Sequence, residues 1–159
     1  MININKRIKE KKTYALLIAI SFVVISSLAF QNTKSVSAAD IIVYKSPTCG
    51  CCKKWVKYLE GAGFNVKSVN KTNMSPIKSK FDVKKQYQSC HTAKVGEYFI
   101  EGHVPASDIK KLLKQNPNVK GLAVPGMPMG SPGMEGHRKD RYSVLLINNK
   151  NKSTVFSEY

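Results

Sequence analysis

Acidic residues are scarce in this sequence. Its 159 residues include 10 Asp and Glu against 26 Lys and Arg, which gives a formal net charge of +16. Charged residues make up only 23% and hydrophobic residues 42%, so the chain is not a disordered polyelectrolyte. Few aromatic residues lie between the lysines, which is typical of a solvated basic surface that attracts anionic envelope polymers. No nucleic-acid partner is therefore expected.

Cysteine is also rare, and internal repeats are absent. Four cysteines are too few for a disulfide-dense mini-scaffold. About 120 residues can bury a hydrophobic core without such crosslinks, and the total length excludes a large multidomain enzyme. The sequence is therefore that of one small domain with an appendage.

The N-terminus has the features of a secretory signal. Basic residues between Lys6 and Lys12 precede an uncharged apolar stretch, Tyr14–Phe30, and small residues follow around Ala38. The pattern predicts a signal peptide over residues 1–38 and a periplasmic or otherwise extracytoplasmic domain over residues 39–159. The alternative is an uncleaved membrane anchor, since the apolar stretch is near the lower length limit for spanning a bilayer. No cysteine lies near the cut, which argues against a lipoprotein.

The mature chain opens with a β-α-β pattern. Ile41–Tyr44 is a short β-branched run that predicts a buried strand. The next apolar residues recur at helical spacing (Cys52, Trp55, Val56 and Leu59), and glycines at 61 and 63 end that helix. Alternation over Phe64–Val69 predicts a second strand, parallel to the first.

Further helices and strands follow in the rest of the chain. Ser75, read as an N-cap before Pro76, predicts a second helix, Tyr98–Ile100 a third strand, and Pro105–Gln115 a third helix. The segment Gly121–Gly136, rich in Gly, Pro and Met, is expected to be an ordered loop rather than a regular element. Residues 142–147 and 153–156 flank an Asn-rich turn and predict a C-terminal hairpin. This order predicts a single thioredoxin-like α/β domain.

Three cysteines crowd the turn between the first strand and the first helix. Cys49, Cys51 and Cys52 lie where unsatisfied helix N–H groups stabilise thiolates. Neighbouring thiolates close poorly on one tetrahedral ion but can bridge several Cu(I) ions, whereas zinc prefers separated pairs. The spacing therefore favours a copper site with more than one Cu(I) ion.

Two alternatives remain open for this cysteine turn. Cys49 and Cys52 have the C-x-x-C spacing of a redox dithiol, although Cys51 would invite scrambling. A purely structural pairing, Cys49–Cys52 with Cys51–Cys90, is the other alternative, because disulfides persist in oxidising compartments.

Soft and borderline ligands recur elsewhere in the chain. Cys90 and His91 precede the Tyr98 strand, at the place where thioredoxins carry a proline that is missing here. Met127 and Met134, with Met129 between them, lie in the Gly/Pro-rich loop, where no helix or strand face explains their spacing, and a thioether binds Cu(I) without losing a proton. His103 and His91 are better candidates than His137.

Four sequence blocks resemble one known family. They are residues 44–52 around the cysteine turn, Ser89–Ala93, Glu101–Ala106 and the loop Gly121–Gly136. Together they resemble the exported CopG-type copper-resistance family of bacterial metal-binding proteins. The resemblance implies a thioredoxin-like fold, an extracytoplasmic location and copper bound mainly by the cysteine turn. It also implies that Cys90 is the matching fourth cysteine, and it ranks Met129 below the other two methionines.

The sequence therefore predicts an extracytoplasmic protein that sequesters or transfers Cu(I) and contributes to copper resistance. Exchange with a copper chaperone or an efflux pump is expected, because sulfur ligands of differing strength permit transfer. The alternative function is a thiol-disulfide or copper oxidoreductase that uses Cys49 and Cys52.

Overall fold

A computed structural model describes residues 39–159, so the predicted signal peptide lies outside the described residues. The helices are α1 (Gly50–Gly61), α2 (Ser75–Lys80) and α3 (Ala106–Gln115), with a 3-10 turn at Lys85–Tyr87. The strands are β1 (Asp40–Lys45), β2 (Asn65–Asn70), β3 (His91–Val95), β4 (Tyr98–Glu101), β5 (Gly121–Ala123), β6 (Ser143–Ile147) and β7 (Ser153–Glu158). Within this part of the chain, no helix combines the length and apolarity needed to cross a bilayer.

The strands form one mixed sheet in the order β2-β1-β3-β4-β5-β6-β7. β1 pairs with β2 in parallel, as the β-α-β pattern predicts, and β4 pairs with β5 in parallel. The other neighbouring strands are antiparallel, including the predicted C-terminal hairpin β6–β7. The predicted single α/β domain is therefore confirmed over the described residues.

Side chains pack on both faces of the sheet. Trp55 and Leu59 of α1 and Ile109 and Leu112 of α3 belong to one large core cluster that includes Ile100 of β4. A smaller cluster contains Phe99, which lies between Tyr98 and Ile100 in β4, together with Val83, Tyr87 and Ile147. Because successive strand side chains alternate between faces, β4 contributes to both clusters and is buried throughout.

Helix α1 begins at the cysteine turn for reasons of local chemistry. Cys49 is the N-cap residue, with extended backbone, and its Sγ accepts the Cys52 N–H at 3.3 Å. The predicted apolar face is buried, and the Trp55 indole N–H donates to the Val104 carbonyl at 2.9 Å. The cysteine turn is therefore anchored to the segment that leads into α3.

Three sequence expectations need correction. His91–Val95 forms β3, a strand that the sequence analysis missed because polar residues interrupt its apolar pattern, so the Tyr98 strand is the fourth. Gly121–Ala123 forms β5, although the whole segment Gly121–Gly136 was expected to be a loop. At α2, Met74 rather than Ser75 holds the N-cap position, and the Ser75 N–H is accepted by Asn73 Oδ1. Strands β3 and β5 depend on pairing with strands that are distant in the sequence.

Candidate metal centre

The four cysteines comprise one disulfide and two free thiols. Cys49 and Cys52 form a disulfide, while Cys51 and Cys90 are the free thiols among the described residues. Cys51 Sγ lies 3.5 Å from Cys49 Sγ, and Cys52 is fully buried. Of the two bonds in the purely structural alternative, Cys49–Cys52 is present and Cys51–Cys90 is not.

Strand pairing brings Cys90 to the cysteine turn. β3 runs antiparallel to β1, with His91 opposite Lys45, so Cys90 lies beside the chain that continues from β1 into the turn. Cys90 and the other three cysteines have sulfur atoms that all lie within 4.8 Å of one another. The structure thus brings together all four cysteines that the sequence predicted as ligands.

Two imidazoles extend the cluster on the side of Cys90. Its Sγ lies 3.2 Å from His91 Nδ1 and 3.1 Å from His103 Nε2, and the three groups form a second set of ligand atoms within 4.8 Å. The Pro132 carbonyl lies 2.8 Å from His103 Nδ1 and can only accept, so Nδ1 carries the proton. In the neutral ring His103 Nε2 then has a free lone pair directed at the sulfur, as a metal-binding histidine requires.

Burial keeps both rings neutral. Desolvation holds the pKa of His91 well below its usual range, and the nearby His103 and Lys78 lower it further. Desolvation also lowers the pKa of His103, against the opposing effect of its bond to Pro132. His91 Nε2 is buried without a hydrogen-bond partner, beside the Trp55 ring at a centroid distance of 4.3 Å. Neutral imidazoles are the form that binds metal.

The Cys90 thiol is protonated in the metal-free protein. Burial, followed by the charge of Cys51, raises the pKa of Cys90 to about 12. A bound cation reverses this preference, because a coordinating thiol is deprotonated. Metal binding at Cys90 would therefore release a proton.

The methionine-containing loop lies against the cysteine turn at one point. A Cβ added at Gly133 would lie 2.9 Å from both the Cys51 carbonyl oxygen and the Trp55 nitrogen, so this close approach requires glycine. Met134 follows directly in the chain, whereas Met127 is 54% exposed. Met129 has its terminal methyl against Gly136 within the loop. The ligand groups defined by geometry contain cysteine and histidine, and Met134 follows the glycine that approaches the cysteine turn.

A buried ion pair supports the site and was missed by the sequence analysis. Lys78 Nζ of α2 contacts Glu101 Oε1, and the carboxylate is fully buried. The sequence signal was Glu101, the acidic residue that follows the apolar run Tyr98–Ile100. A buried strand tolerates a carboxylate only when it has a partner. The partner could not be identified from sequence, because Lys78 lies on a helix 23 residues away.

The fold and the site define a class of protein: a small mixed α/β domain with a cluster of cysteine and neutral histidine, which is a ligand set for soft or borderline metal ions. A family described as a protein of unknown function, DUF411, matches residues 87–134. Two solved structures of copper resistance protein copG, form 2 and form 1, match with TM-scores of 0.74 and 0.73. Each of the two is 45% identical in sequence to this chain, and each alignment covers 77% of this chain and 98% of the solved structure's chain.

This chain therefore belongs to the CopG-type copper-resistance family. The predicted family resemblance is confirmed. No curated protein matches the chain.

Proposed function

We propose that this protein binds Cu(I) outside the cytoplasm and contributes to copper resistance by sequestering the ion or transferring it to a partner. The observation that carries the proposal is the convergence of four cysteine sulfurs, with two neutral imidazoles beside one of them. Thiolates are soft ligands that favour Cu(I), and tight binding of the ion suppresses its redox cycling. The name of the relatives, copper resistance protein, supports copper as the metal.

The geometry favours more than one ion. Cys90 belongs both to the four-cysteine group and to the group that it forms with His91 and His103. One thiolate can bridge two Cu(I) ions, so two adjacent sites that share Cys90 would form a small cluster. Met134, and Met127 from the same loop, are the proposed thioether ligands that complete it. Their position next to Gly133 and Gly126, whose backbones contact the cysteine turn and the Gln88–Ser89 segment, supports this assignment.

Loading of all four cysteines requires reduction of the disulfide. A dithiol donor supplies two electrons and two protons, the Cys49–Cys52 bond breaks to two thiols, and the donor becomes a disulfide. Each thiol then releases its proton when it binds Cu(I). The oxidised protein has only Cys51 and Cys90 free among its described cysteines. Oxidised protein is therefore expected to hold fewer Cu(I) ions.

The finer parts of the proposal concern classification, location and partners. The order β1-α1-β2, then the antiparallel β3–β4 pair and α3, supports a thioredoxin-like classification. The leader-like residues 1–38 support export to the periplasm or another extracytoplasmic space. A copper chaperone or an efflux pump is the proposed partner. The mass of the exported protein tests the proposed export, because cleavage of the signal peptide would leave a chain that begins at or near Ala39.

The test of function is an anaerobic Cu(I) titration of purified protein against a competing chelator, with elemental analysis of the product. Reduced protein is expected to take up two or more tightly held ions, and oxidised protein fewer. Cys51→Ser should lower both the capacity and the affinity, because it removes a thiolate 3.5 Å from Cys49 Sγ. Equal capacity and affinity in Cys51→Ser and the parent would contradict a bridged cluster.

A second candidate function rests on the disulfide itself. The Cys49–Cys52 bond lies at the N-terminus of α1, a position that activates a thiolate for exchange. A thiol-disulfide or copper oxidoreductase that uses this pair predicts insulin reduction or copper reduction by the dithiol form. That activity would survive Cys51→Ser, Met127→Leu and Met134→Leu, whereas each of these substitutions is expected to weaken Cu(I) binding.

A further inference from the structure

The buried carboxylate of Glu101 contacts both sides of the Cys90–His91 segment. Glu101 Oε1 accepts the Ser89 backbone N–H at 2.7 Å, one residue before Cys90. Glu101 Oε2 accepts the Thr92 hydroxyl at 2.6 Å, one residue after His91. One side chain therefore holds the backbone before the cysteine and the side chain after the histidine.

Lys78 holds that carboxylate in place. Its ammonium contacts Glu101 Oε1 and donates to Thr92 Oγ1 at 3.1 Å, and Lys78 is itself only 7% exposed. Three donors (the Lys78 ammonium, the Thr92 hydroxyl and the Ser89 amide) thus converge on one carboxylate. An apolar side chain could fill the same space but could not accept the Ser89 N–H, which would lose its partner.

The backbone around Glu101 leaves little freedom for another arrangement. Gly102 has a φ of +71°, and a Cβ there would lie 2.4 Å from the Val124 carbonyl oxygen and 2.7 Å from Ser89 Cβ. The next residue is His103, whose Nε2 faces Cys90 Sγ. The tripeptide Glu101–His103 therefore contacts the Ser89–Thr92 segment through the Glu101 carboxylate and the His103 imidazole, and the Gly102 N–H donates to the His91 carbonyl at 3.1 Å.

We propose that Glu101, paired with Lys78, is a positioning residue that fixes the Cys90 sulfur toward the other cysteines and His103. The proposal rests on the proposed copper-binding function for its purpose, but the positioning itself is a property of the metal-free protein. An apolar pair of equal volume could make the protein equally stable, but it could not position the segment around Cys90 by accepting its hydrogen bonds.

The test compares two matched double variants. Lys78→Met/Glu101→Gln removes both charges but keeps an amide oxygen that can accept the Ser89 N–H. Lys78→Met/Glu101→Leu removes both charges and the acceptor. Neither variant leaves an unpaired buried charge, so their difference reports on the hydrogen bonds to the segment around Cys90.

The first readout needs no metal. In a Cys51→Ser background with the Cys49–Cys52 disulfide intact, Cys90 is the free thiol among the described residues, so its alkylation rate by iodoacetamide reports how firmly it is held. The Leu-containing variant is expected to react about tenfold faster than the Cys51→Ser protein, since local opening exposes the thiol. The Gln-containing variant should stay within about threefold, because it retains the acceptor. Equal rates in both variants would overturn the proposal.

Asp82→Asn controls for a general loss of stability. It weakens an ion pair with Lys120 that lies outside the metal centre, and it should leave the alkylation rate of Cys90 unchanged. If the Leu-containing variant does not fold, Glu101→Asp replaces it. The shorter carboxylate keeps the charge next to Lys78 but cannot reach both Ser89 and Thr92, so faster alkylation is again expected. An unchanged rate in folded Glu101→Asp would then overturn the proposal.

The second readout is Cu(I) affinity of the reduced proteins that retain all four cysteines. The Leu-containing variant should bind about 10- to 100-fold more weakly than the parent, as is typical when a group that orients a ligand is removed, and the Gln-containing variant should bind nearly as well. Parent affinity in the folded Leu-containing variant would contradict the proposal. A parent protein that takes up no Cu(I) would instead contradict the proposed function, while the alkylation result would still decide the positioning role.

Discussion

Cys90 contributes its sulfur to both groups of candidate ligands. It faces the three cysteines of the turn on one side and the imidazoles of His91 and His103 on the other. Its protonated state in the metal-free protein follows from burial and from the charge of Cys51, so the metal must displace a proton to bind there. At the scale of single residues, this one thiol links two sets of ligands that are separate in the sequence.

Met134 and Met129, two of the three methionines in the loop, offer a matched test at this scale. Met134→Leu keeps the volume of the side chain but removes the thioether, and Cu(I) affinity is expected to fall about tenfold if the sulfur is a ligand. Met129→Leu is the control, since Met129 packs against Gly136 within the loop. Chelator competition measures both affinities. Equal affinities for the two variants would remove Met134 from the ligand set.

The loop that connects β5 to β6, residues 124–142, contains the three methionines and contacts the metal centre. It contacts the site at two neighbouring points: the Pro132 carbonyl accepts from His103, and Gly133 approaches the first turn of α1. Gly133 has a left-handed backbone, with a φ of +86°, and its approach to α1 leaves no room for a Cβ. The loop therefore orients a candidate ligand while it covers the cysteine turn.

Gly133→Ala is expected to separate the loop from α1. The added Cβ would lie 2.9 Å from two backbone atoms of α1, which cannot yield as a flexible side chain does. Cu(I) affinity should fall about tenfold, because His103 loses the carbonyl that orients it. Gly63→Ala is the matched control: its φ is +88°, but nothing lies within 4 Å of the new Cβ. Both variants incur a similar backbone strain, so a loss of affinity shared by both would contradict the role of the loop.

Asp82 joins three parts of the molecule. It follows α2 and pairs with Lys84, with Lys120 just before β5, and with Asn151 in the β6–β7 turn. Hydrogen bonds from Lys120, Lys84 and Asn151 hold the pKa of Asp82 far below its usual range. None of these partners belongs to the metal centre, so this network supports the fold at the scale of the whole molecule.

Asp82→Asn should lower the thermal midpoint slightly at neutral pH, on the order of 1–3 °C for an exposed ion pair in a domain of this size. The substitution leaves the backbone intact, because Asn tolerates the left-handed φ of +51° found here. A lowered folded-state pKa stabilises the protein above the unfolded value of about 4 and stops doing so as pH falls. The difference between parent and variant should therefore persist from pH 7 to 5 and shrink below pH 4. A difference that does not change with pH would show that charge is not its cause.

Several features could be predicted from sequence because they depend on neighbouring residues. The cysteine turn before a helix follows from a β-branched run and from the spacing of Trp55 and Leu59, and the C-terminal hairpin follows from its Asn-rich turn. The family followed from motifs, and these are likewise local. The candidate ligands Cys49, Cys51, Cys52 and Cys90, with His91 and His103, were identified by ligand chemistry without knowledge of their distances.

Sequence alone determined the small α/β domain, its candidate soft ligands and its family, since side-chain periodicity and ligand chemistry are carried by adjacent residues. The tertiary structure alone decided that β3 pairs with β1 and thereby brings Cys90 to the turn, that β5 exists, and that Lys78 pairs with Glu101. These features join residues far apart in the chain. Their stability comes from hydrogen bonds and burial that exist only once distant segments have packed, so no local pattern specifies them.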